Sequence, residues 1–372
     1  IPLDEFVQNL SVSMLQQVEI VKILYRGVDI IIFDEPTSVL TPQGIQGLFE
    51  AIRFLVKNGK TVLFITHKLK EVMEISDSIT VLKNGHYVDT VTPDQTDEHG
   101  LATMMVGREV ILTAQKKDKK QGDALLKVRH LSMPDYLGRE KLKDVSFEIH
   151  SGEILGIAGV AGSGQQELVE ALFGLRTGSQ GEILFDGKNI TNLNCREHRL
   201  SHIGYVPQDR ISEGINREAT LWENAIMGYH IVKGFGNRYL LNRKQALSFT
   251  NHIIQDFHVK ASSPNLKIQT LSGGNIQKLI VGREFLQDNR LLIIEDPTRG
   301  IDIGAIEFIW KKIESLASAG AAILLVSHEL NEVMEVSDRI LVMYDGQLYD
   351  GGVHGQKTET EIGLLMAGGG CA

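Results

Sequence analysis

The chain has 372 residues, a length that accommodates two or three domains, and 42% of them are apolar, enough for ordinary buried cores. The net charge of −9, with Lys116 to Lys120 as the one dense basic run, argues against nucleic acid as a main partner. The longest apolar runs are strand-sized, far below the roughly 20 residues of a membrane-spanning helix. Two cysteines, Cys195 and Cys371, are too few for a disulfide framework or a metal site, which fits a reducing cytoplasm.

One internal repeat organises the chain: residues of its first part recur 261 positions later without a gap. The run KEVMEISDSIT from Lys70 corresponds to NEVMEVSDRIL from Asn331, and His67 corresponds to His328. Because the register holds through polar and glycine positions, the repeat indicates a duplication. The second copy opens with the strand-like ALLKVRH from Ala124, so we expect the first copy to lack its opening portion in this chain.

The repeat predicts three parts: a truncated first domain at 1–108, a polar, lysine-rich linker at 109–123 and a second domain at 124–372. Within each copy a helix, an apolar strand, a second helix and another strand alternate. This alternation predicts an α/β fold with a parallel sheet flanked by helices, and ligands at the carboxyl ends of its strands. The second copy adds three short strands, KDVSFEI, EILGIA and GEILFDG.

In the first copy the run IIIFDEPT ends an apolar strand with Asp34 and Glu35. A carboxylate at such a strand end can hold Mg²⁺, and the next one can position an attacking water. The second copy reverses the order to Glu295 and Asp296, and a misplacement of about 1 Å can cost about 100-fold in rate. An isolated acidic pair is also consistent with a solvated strand end.

His67 and His328 each follow the next apolar strand of their copy. An imidazole there can sense a terminal phosphate and the water beside it, although a lone histidine at a strand end is more often structural. Recurrence of the histidine in the register of the carboxylates favours a functional role.

The segment LSGGN places Ser272, Gly273 and Gly274 at the start of a helix-like run. The serine can donate its hydroxyl, and the glycines let backbone amides approach an anion, although a simple helix cap would look the same. The corresponding LSVSM of the first copy has Ser11, Val12 and Ser13 at these positions. Side chains there would crowd the approach, so we expect that segment to bind phosphate poorly.

The segment GVAGSGQQ, from Gly159 to Gln166, lies between a strand and a helix, which is the context of a phosphate loop. A complete loop would have lysine and then serine or threonine where this chain has Gln165 and Gln166. Charged hydrogen bonds contribute roughly 1.5 to 3 kcal/mol against about 0.5 to 1.5 for neutral ones, so the substitution weakens phosphate binding. Taken alone, the loop is equally consistent with a tight structural turn.

The order of these motifs, with YVPQDR between the glycine loop and LSGGN, resembles that of ABC transporter ATPases over nearly the whole chain. It is most similar to bacterial ATPases for simple sugars such as ribose or galactose, and to related nucleoside importers, which carry both domains in one polypeptide. The forms GVAGSGQQELVEAL and DPTRGIDIGAIEFI resemble the nucleoside branch.

The resemblance implies a P-loop NTPase of the ABC ATPase fold, with a parallel core sheet, an antiparallel β subdomain and a helical subdomain. It also implies ATP and Mg²⁺ as cofactors, and a head-to-tail pair of domains in which each ATP lies between one domain's phosphate loop and the other's LSGG-type motif. Asp34, Glu295 and Gln208 would hold the metal, Glu35 and Asp296 would position water, and His67 and His328 would contact the γ-phosphate.

In the site with Asp34 and Glu35, Ser272, Gly273 and Gly274 would form the opposite face, and this site is expected to be the competent one. The other site would face Ser11 and Ser13. Its remaining nucleotide-binding residues would be Gly159, Gly162, Ser163, Gly164, Gln165, Gln166 and Gln208. Tyr136 is a candidate aromatic for stacking on adenine, although an ordinary loop tyrosine is equally consistent with the sequence.

The function implied is that of an ATPase that couples hydrolysis to import of a simple sugar or nucleoside, at the cytoplasmic face of a bacterial inner membrane. Its partners would be membrane-spanning permease subunits, contacted by the segment DRISEGINREATLWENAIMG, and an external substrate-binding protein. A soluble ABC translation factor is a second reading, but it would carry a long charged linker and a basic face. A regulatory ATP-binding protein without turnover is a third.

Overall fold

The structure is a computed structural model that describes residues 7, 12–37, 40, 42–83, 85–107, 122–136, 138–230, 234–236, 240–301 and 303–369. The side chains at 12, 13, 16, 17, 24, 42 and 43 are not described either. Most of the predicted linker, the Lys116 to Lys120 run, Ser11 and Cys371 therefore lie outside the described residues. Among the described residues, no helix combines the length and the apolar character needed to cross a membrane.

The chain forms two compact units. The first contains Ile1–Thr113 with two short later segments, Val160–Gly162 and Asp302–Glu307, and the second contains the remainder. Elements of the first part of the chain are α1 (Val12–Tyr25), β1 (Ile30–Asp34), α2 (Pro42–Lys57), β2 (Thr61–Ile65), α3 (Leu69–Ile75), β3 (Ile79–Lys83), β4 (His86–Val91) and α4 (Glu98–Val106).

The second part of the chain supplies the following elements, in chain order. They are β5 (Ala124–Pro134), β6 (Glu140–His150), β7 (Ile154–Ala158), α5 (Gln165–Phe173), β8 (Gln180–Phe185), β9 (Lys188–Asn189), α6 (Cys195–Leu200), β10 (Ile203–Val206), α7 (Leu221–Ala225), α8 (Arg243–Asp256), α9 (Gly273–Phe285), β11 (Leu291–Glu295), α10 (Ile303–Ser318), β12 (Ala322–Ser327), α11 (Leu330–Val336), β13 (Arg339–Tyr344), β14 (Gln347–Val353) and α12 (Glu359–Met366). The strands predicted at ALLKVRH, KDVSFEI, EILGIA and GEILFDG are confirmed as β5 to β8.

A six-stranded sheet forms the core of the second unit, in the order β10-β11-β12-β7-β13-β14. Its strands pair in parallel except for the antiparallel edge strand β14. Strands β11 and β12 are buried along their whole length, as parallel strands covered on both faces should be. A separate antiparallel sheet, β6-β5-β8-β9, supplies the rest of a shared apolar core that includes Leu155, Leu168 and Ile293. The predicted α/β class, with an antiparallel β subdomain, is confirmed.

The first unit contains two separate two-stranded sheets, a parallel β1-β2 pair and an antiparallel β3-β4 hairpin. The repeat equates these with β11-β12 and β13-β14, which in the second unit are joined by β7 lying between β12 and β13. Among the described residues of the first unit, no strand takes the place of β7. The first unit has two apolar clusters, one around Ile31, Phe33 and Phe49 and the other around Leu69, Val81 and Leu101.

One apolar face of β1 and β2 is exposed in the first unit. The exposed fraction is 67% for Ile30, 59% for Ile32, 53% for Leu63 and 45% for Ile65. Their repeat counterparts in the second unit, Leu291, Ile293, Leu324 and Val326, are 1%, 0%, 0% and 2% exposed. The same sequence pattern thus specifies a buried face in one unit and an exposed face in the other, because burial depends on what packs against it.

Candidate functional site

The carboxyl ends of β1 and β2 bring Glu35 and His67 together in the first unit. Because β1 and β2 are adjacent and parallel, the residues that follow them lie at the same edge of the sheet. His67 Nδ1 lies 2.9 Å from Glu35 Oε1, and both side chains are half-buried. Asp34, the last residue of β1, is exposed beside them. The structure therefore groups the three residues that the sequence singled out in the first copy.

The second unit repeats this contact between Asp296 and His328. His328 Nδ1 lies 2.9 Å from Asp296 Oδ2, and the His328 backbone N–H donates to Asp296 Oδ1 at 2.9 Å. Burial disfavours both charges, but their mutual attraction outweighs it, so the pKa of Asp296 lies below its ordinary value and that of His328 above it. Each side chain therefore stabilises the charged form of the other.

An unusual backbone conformation directs both carboxylates toward their histidines. Glu35 and Asp296 have φ angles of 46° and 40°, in the left-handed region that non-glycine residues adopt at some cost. Each donates its backbone N–H across to the neighbouring strand, to Ile65 O at 2.8 Å and to Val326 O at 2.9 Å. Recurrence of this strained position in both copies favours a functional rather than an incidental carboxylate.

Gln208 lies against the second carboxylate–histidine pair. Its amide nitrogen donates to Asp296 Oδ2 at 3.0 Å and lies 3.3 Å from His328 Nδ1. The structure thus brings together three residues of the second copy that were predicted on separate motifs. The donor end of the Gln208 amide is used within the protein.

Glu295, the predicted metal ligand of the second copy, is bound by a residue that sequence reasoning missed. Tyr205 on β10 donates its hydroxyl to Glu295 Oε2 at 2.6 Å and lies 3.4 Å from Glu213 Oε2. Glu295 is 6% exposed, and burial, with Asp296 and Glu213 nearby, raises its pKa to about 8. Tyr205 lies in the YVPQ run, but its contact depends on the pairing of β10 with β11, which the sequence does not show.

The glycine loop joins β7 to α5 as predicted. Gly162 and Gly164 have φ angles of 86° and 117°, and Gly164 is the residue before α5 begins. A Cβ on Gly159 would meet the Gln165 amide and lie 2.7 Å from Met343 O, so only glycine fits there. Ser163 and Gln165 are buried.

Gln166 stands where a complete loop would have a metal-binding hydroxyl, and its side chain turns away along the helix. The Gln166 amide nitrogen donates to Glu170 Oε1 at 2.9 Å, one turn further along α5. Glu170 Oε1 also accepts from the hydroxyl of Tyr136 at 2.9 Å. Tyr136 is 75% exposed, and its contact with adenine stays a prediction.

Ser272 occupies the N-cap of α9, with Gly273 and Gly274 in the first turn. Its side chain makes no capping hydrogen bond to the helix backbone and instead accepts from Asn275 Nδ2 at 2.8 Å. A capping role alone therefore does not account for this serine. Of the first-copy counterparts, Ser11 lies outside the described residues, and so does the side chain of Ser13.

The two copies differ in how well their residues suit Mg²⁺. Asp34 and Glu35 supply the oxygen ligands that Mg²⁺ prefers, and Asp34 is exposed at the strand end. In the second copy Glu295 accepts a hydrogen bond from Tyr205, and Gln165 and Gln166 replace the loop's cation and hydroxyl. Among the described residues, no group of three His, Cys, Asp or Glu could hold a metal ion. The first-copy carboxylates thus have the chemistry that Mg²⁺ prefers, whereas the metal-side carboxylate of the second copy is engaged by Tyr205.

Comparison with known proteins shows the family. The ABC transporter family profile matches residues 142–299. The nucleoside import ATP-binding protein NupA of Lactococcus lactis subsp. cremoris (strain MG1363) is 39% identical over 98% of this chain and 72% of that protein. The guanosine import ATP-binding protein NupO of Bacillus subtilis (strain 168) is 42% identical over 97% of this chain and 71% of that protein.

A sugar-import ATP-binding protein and a solved structure are also similar to this chain. The glucose import ATP-binding protein TsgD13 of Haloferax volcanii is 39% identical over 98% of this chain and 67% of that protein. A solved ATP-binding subunit of an ABC transporter shares the fold, with a TM-score of 0.54 and 23% identity over 65% of this chain and 99% of that one. The chain therefore belongs to the ABC transporter ATPases, among the ATP-binding proteins of sugar and nucleoside importers.

Proposed function

We propose that this chain couples ATP hydrolysis to uptake of a nucleoside or a simple sugar through membrane-spanning permease subunits. The observation that carries the proposal is the high identity, along nearly the whole chain, to import ATP-binding proteins for nucleosides, guanosine and glucose. The alternative of a soluble translation or regulatory factor has no such support. An external binding protein would deliver the cargo, and the chain would act at the cytoplasmic face of the membrane.

The first copy would carry the hydrolytic chemistry. When bound, Mg²⁺ neutralises charge on the transferred phosphate and its leaving group. Asp34 would hold that ion, and Glu35, fixed by its 2.9 Å contact with His67, would orient the attacking water. His67 would contact the terminal phosphate. Ser272 would present its hydroxyl, and Gly273 and Gly274 their backbone amides, to the phosphates of an ATP.

The second copy would hydrolyse slowly or not at all. Its water-side residue is Asp296, one methylene shorter than glutamate, and both Gln208 and His328 hold that carboxylate in place. The carboxylate of its metal-side residue, Glu295, accepts a hydrogen bond from the Tyr205 hydroxyl. Hydrolysis in the complete transporter would therefore come from one of two sites.

Transport can be tested in proteoliposomes. The full-length ATPase would be reconstituted with its permease, and ATP-dependent uptake of radiolabelled guanosine, adenosine, ribose and galactose would be measured with the binding protein outside. We expect uptake of a nucleoside or a sugar that stops in the Glu35→Gln variant. ATP hydrolysis without uptake of any of these compounds, or co-purification with ribosomes instead of a permease, would contradict the proposal.

A further inference from the structure

Two threonines beside the first-copy carboxylate–histidine pair donate to one buried carboxylate. That carboxylate is Glu71, on α3, which is 7% exposed. Its Oε2 accepts from the Thr37 hydroxyl at 2.8 Å and from the Thr66 hydroxyl at 3.4 Å. Thr37 follows Glu35 by two residues, and Thr66 directly precedes His67. One carboxylate oxygen therefore joins the loop after the water-side residue to the strand end that carries the histidine.

The hydrogen bonds of this carboxylate extend to the other side of His67. The Lys68 backbone N–H donates to the Thr66 hydroxyl oxygen at 3.1 Å. That hydroxyl therefore accepts from the residue after the histidine while it donates to Glu71. The Lys68 ammonium nitrogen also lies 3.8 Å from Glu71 Oε1. The backbone on both sides of His67 is thus fixed to the same carboxylate.

The second copy repeats the arrangement. The counterparts of the carboxylate and its two hydroxyl donors, 261 positions later, are Glu332, Thr298 and Ser327, and all three are buried. Thr298 and Ser327 interact with the Glu332 carboxyl. The Glu329 backbone N–H donates to the Ser327 hydroxyl oxygen at 3.1 Å, as in the first copy. Recurrence in both copies, through a change from threonine to serine that keeps the hydroxyl, favours a role at the carboxylate–histidine pair over local packing alone.

The backbone beside this carboxylate is one that requires support. Glu35 has a φ angle of 46°, and a non-glycine residue keeps such a conformation only where its surroundings hold it. The hydrogen bond from Thr37 holds the chain two residues after Glu35, and the one from Thr66 holds it one residue before His67. Because Glu35 and His67 contact each other at 2.9 Å, a shift of either segment changes the direction of the Glu35 carboxylate.

We propose that Glu71 is a positioning residue for ATP hydrolysis, which sets the directions of Glu35 and His67 through the two threonines. Glu71 acts through these residues and not by contact with the nucleotide, and the inference rests on the proposed hydrolysis at the first copy. A misplacement of about 1 Å can cost about 100-fold in rate. Residues that orient the ligands of metal sites from behind contribute about 10- to 100-fold. The expected loss is therefore in kcat, with ATP binding retained.

The experiment measures kcat and KM for ATP hydrolysis by the full-length ATPase reconstituted with its permease. Thr37→Val removes the shorter hydrogen bond at nearly constant side-chain size. We expect it to lower kcat by about 10- to 100-fold and to change KM by less than about threefold. Thr37→Ser keeps the hydroxyl and should retain kcat within about threefold. Thr298→Val, the same change at the equivalent position of the second copy, is the matched control and should lower kcat by less than about threefold.

A second pair of variants covers the case in which Thr37→Val fails to fold. Thr66→Val removes the other hydroxyl donor at a half-buried position and should also lower kcat. Thr66→Ser introduces the side chain that the second copy carries at this position and should retain kcat. Circular dichroism and urea unfolding of each variant separate a change in kcat from a loss of fold.

Glu35→Gln, measured in the same preparation, separates this inference from the proposed hydrolysis. If Glu35→Gln abolishes hydrolysis while Thr37→Val and Thr66→Val both retain kcat within about threefold, the positioning role is wrong and the proposed function stands. A rise in KM at unchanged kcat, or a loss in Thr37→Val that Thr37→Ser or Thr298→Val matches, would likewise overturn the positioning role. If Glu35→Gln retains hydrolysis, the proposed assignment of the first copy fails, and the positioning role fails with it.

Discussion

The fully buried Glu284 offers the sharpest test of the packing in the second unit. It lies on α9 and accepts two hydrogen bonds from Arg199, at 3.0 and 3.2 Å, one from Arg283 Nε at 2.9 Å and one from Tyr229. Burial alone would raise the pKa of Glu284, but the two guanidinium groups outweigh it and hold the pKa below its ordinary value. Glu284 therefore joins α6 and α9 as an ionised carboxylate.

Glu284→Gln would leave both buried guanidinium groups facing a neutral amide with a single acceptor oxygen. Breaking a buried pair in this way costs about 3–5 kcal/mol of unfolding free energy. Asp186→Asn is the matched control, because Asp186 receives the same two-pronged contact from Arg290, at 2.6 and 3.1 Å, while both side chains are about half exposed. An exposed pair of this kind contributes little to stability, so Asp186→Asn should leave the urea midpoint nearly unchanged.

The assay is urea unfolding of the wild type and the two variants, followed by tryptophan fluorescence and circular dichroism. Since the two units can unfold separately, the transition of the second unit is identified by coincident change in both signals. If Glu284→Gln lowers the free energy of unfolding no more than Asp186→Asn does, burial does not determine how much these ion pairs stabilise the fold.

Two further predictions concern stability. Burial raises the pKa of Glu332 to about 7, above its ordinary 4.5, so the folded protein keeps a proton that the unfolded chain releases. The contribution of Glu332 to stability should therefore be greatest below pH 4.5 and fall by about 1.4 kcal/mol per pH unit up to about pH 7, and Glu332→Gln should remove this part of the pH dependence. In a Trp222→Phe background, fluorescence of Trp310, which donates to Glu332 at 3.1 Å, should titrate near pH 7. Leu324→Ala should lower the free energy of unfolding, measured with urea, by about 2–5 kcal/mol, because Leu324 is fully buried. Leu63→Ala, at the equivalent repeat position, should lower it by less than about 1 kcal/mol, because Leu63 is exposed. Equal losses in the two variants would contradict this reasoning.

Much of the site could be predicted from the sequence because it lies at strand ends. Asp34, Glu35 and His67 each follow an apolar strand, and adjacent parallel strands bring such residues to one edge whatever the side chains elsewhere. The repeat strengthened the prediction, since Asp296 and His328 stand in the same register. Their 2.9 Å contact is the geometric consequence of that register.

Side-chain contacts between distant segments could not be predicted in the same way. The hydrogen bond from Tyr205 to Glu295 joins residues 90 positions apart, and the bond from Tyr136 to Glu170 joins residues 34 apart. Each hydrogen bond depends on which segments of the chain lie side by side and on the direction of one side chain. The periodicity of the sequence predicts neither. The different exposure of Leu63 and Leu324 could not be predicted from the local pattern either, because the two leucines occupy equivalent positions in similar apolar strands.

ATP hydrolysis by the complete transporter, reconstituted with its permease, tests the asymmetry of the two copies most directly. Glu35→Gln and Asp296→Asn make the same chemical change, carboxylate to amide, at equivalent repeat positions beside His67 and His328. We predict that Glu35→Gln lowers the hydrolysis rate by about 100-fold or more, the usual contribution of a positioned acid–base group, while Asp296→Asn lowers it by less than about threefold. Equal losses in both variants would contradict the account.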